Sequence, residues 1–164
     1  MSLKSFSTVL TVRKGSERVK NKNLKPFCNK NLLAYKIESL KKVKGIDEII
    51  INTDSEEAIE MAKNYGVKFH KRDPYFASSK CPNNEFWAHI AENTKTEYIL
   101  FTHCTNPLIK EETYDSMIEF FMKEKNNYDS FNSVTEVKEF LIMKRKPINF
   151  DLNKAPNSQY LPDV

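Results

Sequence analysis

A chain of 164 residues, 40% hydrophobic and 29% charged, has the size and make-up of one soluble globular domain that buries roughly two-thirds of its unfolded surface. Three scattered cysteines, Cys28, Cys81 and Cys104, lack any Cys-x-x-Cys pair, which argues against a disulfide frame or a zinc site and fits reduced thiols in the cytoplasm. The formal charge of +4 is concentrated: within residues 13–25 the cations Arg13, Lys14, Arg18, Lys20, Lys22 and Lys25 face Glu17 alone, so the rest of the chain is near neutral.

Such a cationic loop on a neutral body points to one compact polyanion, such as a triphosphate, and away from the extended basic face of a nucleic-acid binder. Ser7, Thr8 and Thr11 interrupt the first apolar run, so no signal-peptide core forms, and no stretch reaches the length needed to cross a bilayer. A nucleic-acid or membrane partner is therefore not expected.

In chain order, residues 7–12 read as a short β-branched strand. Residues 31–44 follow as a helix, with Leu32, Leu33, Tyr35 or Lys36, Ile37, Leu40 and Val43 near helical spacing and Gly45 as a left-handed stop. The grammar repeats with a strand at 48–53, then Asp54, then a helix over 55–65 that starts at Ser55 and closes at Gly66. A third strand covers 67–70, an irregular stretch runs to Pro82, and a helix spans about 84–93. A strand at 98–102, a helix over 111–125 and a strand over 129–137 complete the regular elements.

Strands alternating with helices imply right-handed crossovers and an α/β, Rossmann-like fold, its sheet mainly parallel and covered by helices on both faces. The chain reads as a single domain, 1–164, with residues 138–164 irregular, because three prolines fall after Lys144. In such sheets ligands bind at the carboxyl ends of the strands, which selects residues 13–23, Asp54 and residues 103–107 as the rim.

With Gly45 and Gly66 read as helix stops, Gly15 in the basic loop calls for a functional reason. A glycine there lets backbone N–H groups approach phosphate oxygens, while Ser16 offers a hydroxyl and Arg13, Arg18 and Lys22 offer charge-assisted donors. The spacing is neither that of the Gly-x-x-x-x-Gly-Lys-Ser/Thr loop nor that of the Gly-x-Gly-x-x-Gly turn. His70, His89 and His103 lack metal-ligand spacing, and only His103 falls on the rim. The adjacent aromatics Phe86-Trp87 and Phe120-Phe121 read as core or as an oligomer face.

The run Leu10-Thr11-Val12-Arg13-Lys14-Gly15-Ser16-Glu17-Arg18-Val19-Lys20-Asn21-Lys22-Asn23-Leu24 resembles the N-terminal signature of acylneuraminate (CMP-sialic acid) cytidylyltransferases and their pseudaminic- and legionaminic-acid relatives. Lys30-Asn31-Leu32-Leu33-Ala34-Tyr35, Ile51-Asn52-Thr53-Asp54, Ala62-Lys63-Asn64-Tyr65-Gly66-Val67, Lys71-Arg72-Asp73-Pro74-Tyr75-Phe76-Ala77-Ser78 and Cys104-Thr105-Asn106-Pro107-Leu108 continue the likeness in order. Lys14, Glu17, Cys81-Pro82-Asn83 and Ile109 depart from it.

The resemblance implies transfer of CMP from CTP to a nonulosonic sugar acid with release of pyrophosphate. It implies Arg13, Gly15, Ser16, Arg18, Lys22 and Asn23 on the nucleotide, with Arg13 and Lys22 catalytic. Arg72, Cys81 and Asn83 would lie near the nucleotide and His103 near the sugar acid. Mg²⁺ is the implied cofactor, and Asp54 is either its carboxylate or the cap of the helix that follows. The likeness continues to Gln159-Tyr160-Leu161-Pro162-Asp163-Val164, ahead of the family's main metal-binding aspartates, so a longer, homodimeric form is the expectation, with the fold incomplete at the C-terminus. Two rival readings are a transferase for another sugar and a non-catalytic nucleotide-binding relative.

Overall fold

The computed structural model describes residues 6–15 and 19–161, which fall into two compact units, one ending at Lys123 and the other beginning at Glu124. In chain order the first unit holds β1 (Phe6–Val12), a small hairpin of β2 (Pro26–Phe27) and β3 (Lys30–Asn31), and α1 (Leu32–Leu40). It continues with β4 (Glu48–Thr53), α2 (Glu56–Asn64), β5 (Lys68–Lys71), α3 (Pro74–Ala77), α4 (Asn83–Glu92), β6 (Tyr98–Thr102) and α5 (Glu111–Glu124).

Four of the strands form one parallel sheet in the order β5-β4-β1-β6. Residues alternate between the faces of a strand, so Phe6, Leu10 and Val12 of β1 join Ile49 and Ile51 of β4 on one face, under α1, α2 and α5. Val9 and Ile50 point to the other face, against Phe86 and Ile90 of α4. The expected two-faced Rossmann-like sheet is therefore present. Burial of Leu10, Leu33, Ile37 and Ile51, each fully enclosed, contributes about 1.5–3 kcal/mol per side chain and fixes the strand ends that carry the site.

Local chemistry sets the helix starts. Asn31 caps α1 in extended conformation, its side chain accepting from the Ala34 N–H at 2.9 Å. Ser55 caps α2 in the same way, with Glu56 and Glu57 in the first turn where the helix dipole favours anions. Asp73 and Pro74 start α3. Gly66 follows α2 at φ 63°, the left-handed stop expected of it.

Gly45 plays another part. Helix α1 ends at Leu40, and Gly45 is not among the left-handed residues; a Cβ there would meet the Ile118 side chain at 2.9 Å, so the glycine admits close packing of α5. The strand expected over 129–137 is absent, and among the described residues β6 remains the sheet's edge. That segment is rich in Ser, Asn and Thr, which favour local turns over a ladder, and it has no strand partner there. Conversely, the stretch expected to be irregular contains a hairpin of β7 (Ile142–Met143) and β8 (Lys146–Pro147) and a 3-10 turn at Ser158–Tyr160. The hairpin turns through Lys144 and Arg145, both at positive φ, the geometry of a two-residue primed turn that glycine or asparagine usually occupies.

Candidate functional site

Strands β1, β4 and β5 are laid down in one direction across the sheet, and the chain then returns to place β6 on the opposite side of β1. The point of reversal, between the carboxyl ends of β1 and β6, is where an open α/β sheet leaves a crevice for ligand. A cleft of about 170 Å³ lies there, lined by Thr11, Arg13, Lys22, Asn23, His103, Cys104 and Thr105. Arg13, Lys22, Asn23 and His103, all expected at a ligand, are thus brought together from separate parts of the sequence.

The basic loop is held in shape by its own backbone. The Lys22 N–H donates to Val19, and the N–H groups of Leu24 and Lys25 both donate to the Asn21 carbonyl, with Asn21 at φ 52°. The Leu33 N–H donates to the Asn23 carbonyl at 3.0 Å, which pins the loop to the first turn of α1. Asn23 Oδ1 is buried and has no hydrogen-bond partner among the described residues.

Arg13 stands half-buried just after β1, its guanidinium donating to the carbonyls of Ala77 and Gly15 at 3.5 and 3.3 Å. Gly15 has ordinary φ and open space on its side-chain side, so nothing in its backbone demands glycine. Ser16 and Arg18 lie outside the described residues.

Arg72 does not line the cleft. It is 5% exposed, donates from Nε to Asn52 Oδ1 at 2.5 Å and from Nη2 to the Asn52 carbonyl at 2.7 Å, and sits 4.8 Å over the Phe86 ring. Burial pulls its pKa down to about 10, against the supporting charge of Asp54. Cys81 and Asn83 also lie away from the cleft lining, Asn83 as the first residue of α4. Asp54 is half-buried and accepts from the Lys14 N–H at 2.8 Å, so it ties the entry of the basic loop to β4, while the cap of α2 is Ser55.

Sequence reasoning passed over the support behind the cleft. Lys36 on α1 is fully buried and donates to the Asn106 carbonyl and the Tyr114 hydroxyl, each at 2.8 Å; that hydroxyl also pairs with Thr102 Oγ1 at 2.9 Å. Cys104, between this group and the cleft, has its thiol pushed up to about 12 by burial, against the pull of Lys36 and Lys22. The signal for Lys36 was its place three residues after Leu33, on the same stripe as Ile37 and Leu40.

Among the described residues no three His, Cys, Asp or Glu side chains converge as a metal site. Mg²⁺ is commonly held by one or two carboxylates together with substrate phosphates, and Asp54 alone at this rim is compatible with that sharing. No helix among the described residues is long and apolar enough to cross a membrane.

Residues 8–160 match the protein family described as Cytidylyltransferase. The chain is 28% identical over 126 residues to a pseudaminic acid cytidylyltransferase of Campylobacter jejuni subsp. jejuni serotype O:23/36 (strain 81-176), a match covering 73% of this chain and 54% of that protein. It is 34% identical over 93 residues to an N-acylneuraminate cytidylyltransferase of Escherichia coli O18:K1:H7 (strain RS218 / NMEC), covering 57% of this chain and 22% of the other. The match thus spans about half of the first relative and under a quarter of the second. The structure of CMP:2-keto-3-deoxy-manno-octonic acid synthetase complexed with CTP superposes with a TM-score of 0.62 at 14% identity, over 74% of this chain and 48% of that one, a likeness of fold.

Proposed function

The chain belongs to the cytidylyltransferase family, and on that premise we propose that its cleft grips the triphosphate of CTP for transfer of CMP to a nonulosonic, sialic-type sugar acid. The observation that carries this reading is the convergence of Arg13, Lys22 and Asn23 in one cleft at the switch point of the sheet.

In the proposed reaction the anomeric hydroxyl of the sugar acid gives up its proton to solvent and its oxygen bonds to the α-phosphorus as the bond from that phosphorus to the α,β-bridging oxygen breaks and pyrophosphate leaves. Phosphoryl-type transfer depends on positioning and on neutralising the charge that develops on the phosphate oxygens. Arg13 and Lys22 supply that positive charge. Asn23 lies beside the phosphates and ribose, and the loop of His103, Cys104 and Thr105 forms the opposite wall, with His103 toward the sugar acid. Asp54 would hold Mg²⁺ together with the phosphates; the ion, when bound, offsets triphosphate charge. The three cysteines are free, in keeping with a reducing cytoplasm, and a homodimeric working form is what the family resemblance implies.

Pyrophosphate release from CTP, with and without Mg²⁺, against neuraminic, legionaminic, pseudaminic and octulosonic acids tests base, sugar and catalysis together. Release with one of these acids, and none with UTP, GTP or ATP, is the expected result for the working enzyme. A second reading, nucleotide binding without turnover, is favoured for these 164 residues alone by the absence, among the described residues, of three converging metal-ligating side chains and by the half-length match. Saturable CTP binding with no pyrophosphate release from any of the four acids would select it; no CTP binding would remove both.

A further inference from the structure

Buried cations are ordinarily matched by an anion, because an ammonium taken out of water without one is strongly disfavoured. Lys36 breaks that rule. Its side chain is fully enclosed, and among the described residues its hydrogen-bond partners are the carbonyl of Asn106 and the hydroxyl of Tyr114, both neutral; no carboxylate there lies within ion-pair distance. Its nearest ring contact is again neutral, Tyr114 at 5.1 Å.

The place of this charge matters. Asn106 belongs to the loop after β6 that also carries His103, Cys104 and Thr105 into the cleft. The Cys104 thiol in the cleft wall lies within the electrostatic reach of both Lys36 and the cleft-lining Lys22. The cleft therefore has two cations in its lining, Arg13 and Lys22, and a third, Lys36, behind its wall. Solvent and salt screen the lining pair far more than the enclosed one. An anion bound between β1 and β6 would supply, across the wall, the opposite charge that Lys36 lacks among the described residues.

We propose that Lys36 is a positioning and specificity-determining residue: through the Asn106 carbonyl it sets the loop after β6, and its buried charge selects a polyphosphate over a neutral ligand in the cleft. The inference rests on the triphosphate reading of that cleft and deepens it, by assigning polyanion selectivity to a residue that does not touch the ligand. A lysine serving only to hold the loop would affect charged and neutral ligands alike, whereas a charge acting through the wall discriminates between them.

The test uses the 164-residue chain with Lys36→Met, which keeps length and removes charge, and Lys36→Gln, which also keeps a donor for Asn106. Calorimetric titrations with CTP, cytidine and inorganic tripolyphosphate are run at low and high salt, beside thermal unfolding of each variant. Both variants are expected to fold and to lose about tenfold in affinity for CTP and tripolyphosphate at either salt concentration, while Lys36→Gln, which keeps a donor for Asn106, binds cytidine within about twofold of the parent. Tripolyphosphate binding that depends on Lys36, with no preference for CTP, would uphold the inference while removing the nucleotide reading. A parent that binds CTP and a folded variant that binds it equally well would overturn the inference and leave the nucleotide reading standing. Equal losses for cytidine and CTP in Lys36→Gln, failure of both variants to fold, or a parent that binds none of the three ligands would also overturn it.

Discussion

Two pairs of cations surround the carboxyl end of this sheet and are used in opposite ways. Arg13 and Lys22 line the cleft, Lys22 on a loop whose shape is fixed by backbone bonds. Arg72 and Lys36 are enclosed, with side-chain donors aimed at neutral protein acceptors: the side chain and carbonyl of Asn52 for one, Asn106 and Tyr114 for the other. On the proposed reading the half-buried, cleft-lining pair meets an external anion, and the buried pair holds the framework that presents it. A count of positive charges cannot separate these roles; partner and burial can.

The largest effect expected of breaking this contrast is on stability. Arg72→Ala removes two charge-assisted donors from Asn52 and the cation from the Phe86 face, and should lower unfolding free energy by about 2–4 kcal/mol in urea titrations. A loss under about 1 kcal/mol, with CTP binding abolished, would move Arg72 from the framework to the ligand.

The same buried cation has a second, smaller readout. His70, whose Nδ1 is 3.1 Å from the Asn52 amide nitrogen, has its pKa lowered by burial first and then by His89 and Arg72. The unfolded chain therefore binds more protons than the folded one below the ordinary histidine value of about 6.5. Stability should fall as the pH drops through that value toward the lowered folded one, and then level off. Urea unfolding at closely spaced pH values should show this step, flattened in His70→Gln; an unflattened step would assign it to other groups.

Lys41→Ala should have the smallest effect. Lys41 is exposed and donates to the Tyr65 carbonyl at the surface, so stability should change by no more than about 0.5 kcal/mol and CTP affinity not at all. Equal affinity losses at Lys41 and in the cleft would mean that diffuse charge, and no built site, attracts the nucleotide.

The four-stranded frame was legible because periodicity and punctuation agree: β-branched strands, caps at Asn31 and Ser55, and the left-handed Gly66 all act within a few residues of themselves. The basic loop was legible by its charge. Burial of Lys36 and Arg72 was not, since a cation on an apolar stripe resembles a snorkelling surface residue until its partners, 70 and 78 positions away for Lys36, are in place. Gly45 misled for the same reason, as its role depends on Ile118. The turn at Lys144 and Arg145 escaped because neither residue type favours positive φ, and the strand expected over 129–137 failed because β propensity without a neighbouring ladder makes no strand.

The most direct test of the division between ligand-facing and framework cations is calorimetric titration of CTP into Arg13→Ala beside the parent chain, with thermal unfolding of both. Binding should weaken by about 1.5–3 kcal/mol, the loss of a charge-assisted contact, with no fall in the unfolding midpoint. A folded Arg13→Ala chain that binds CTP as tightly as the parent would contradict it.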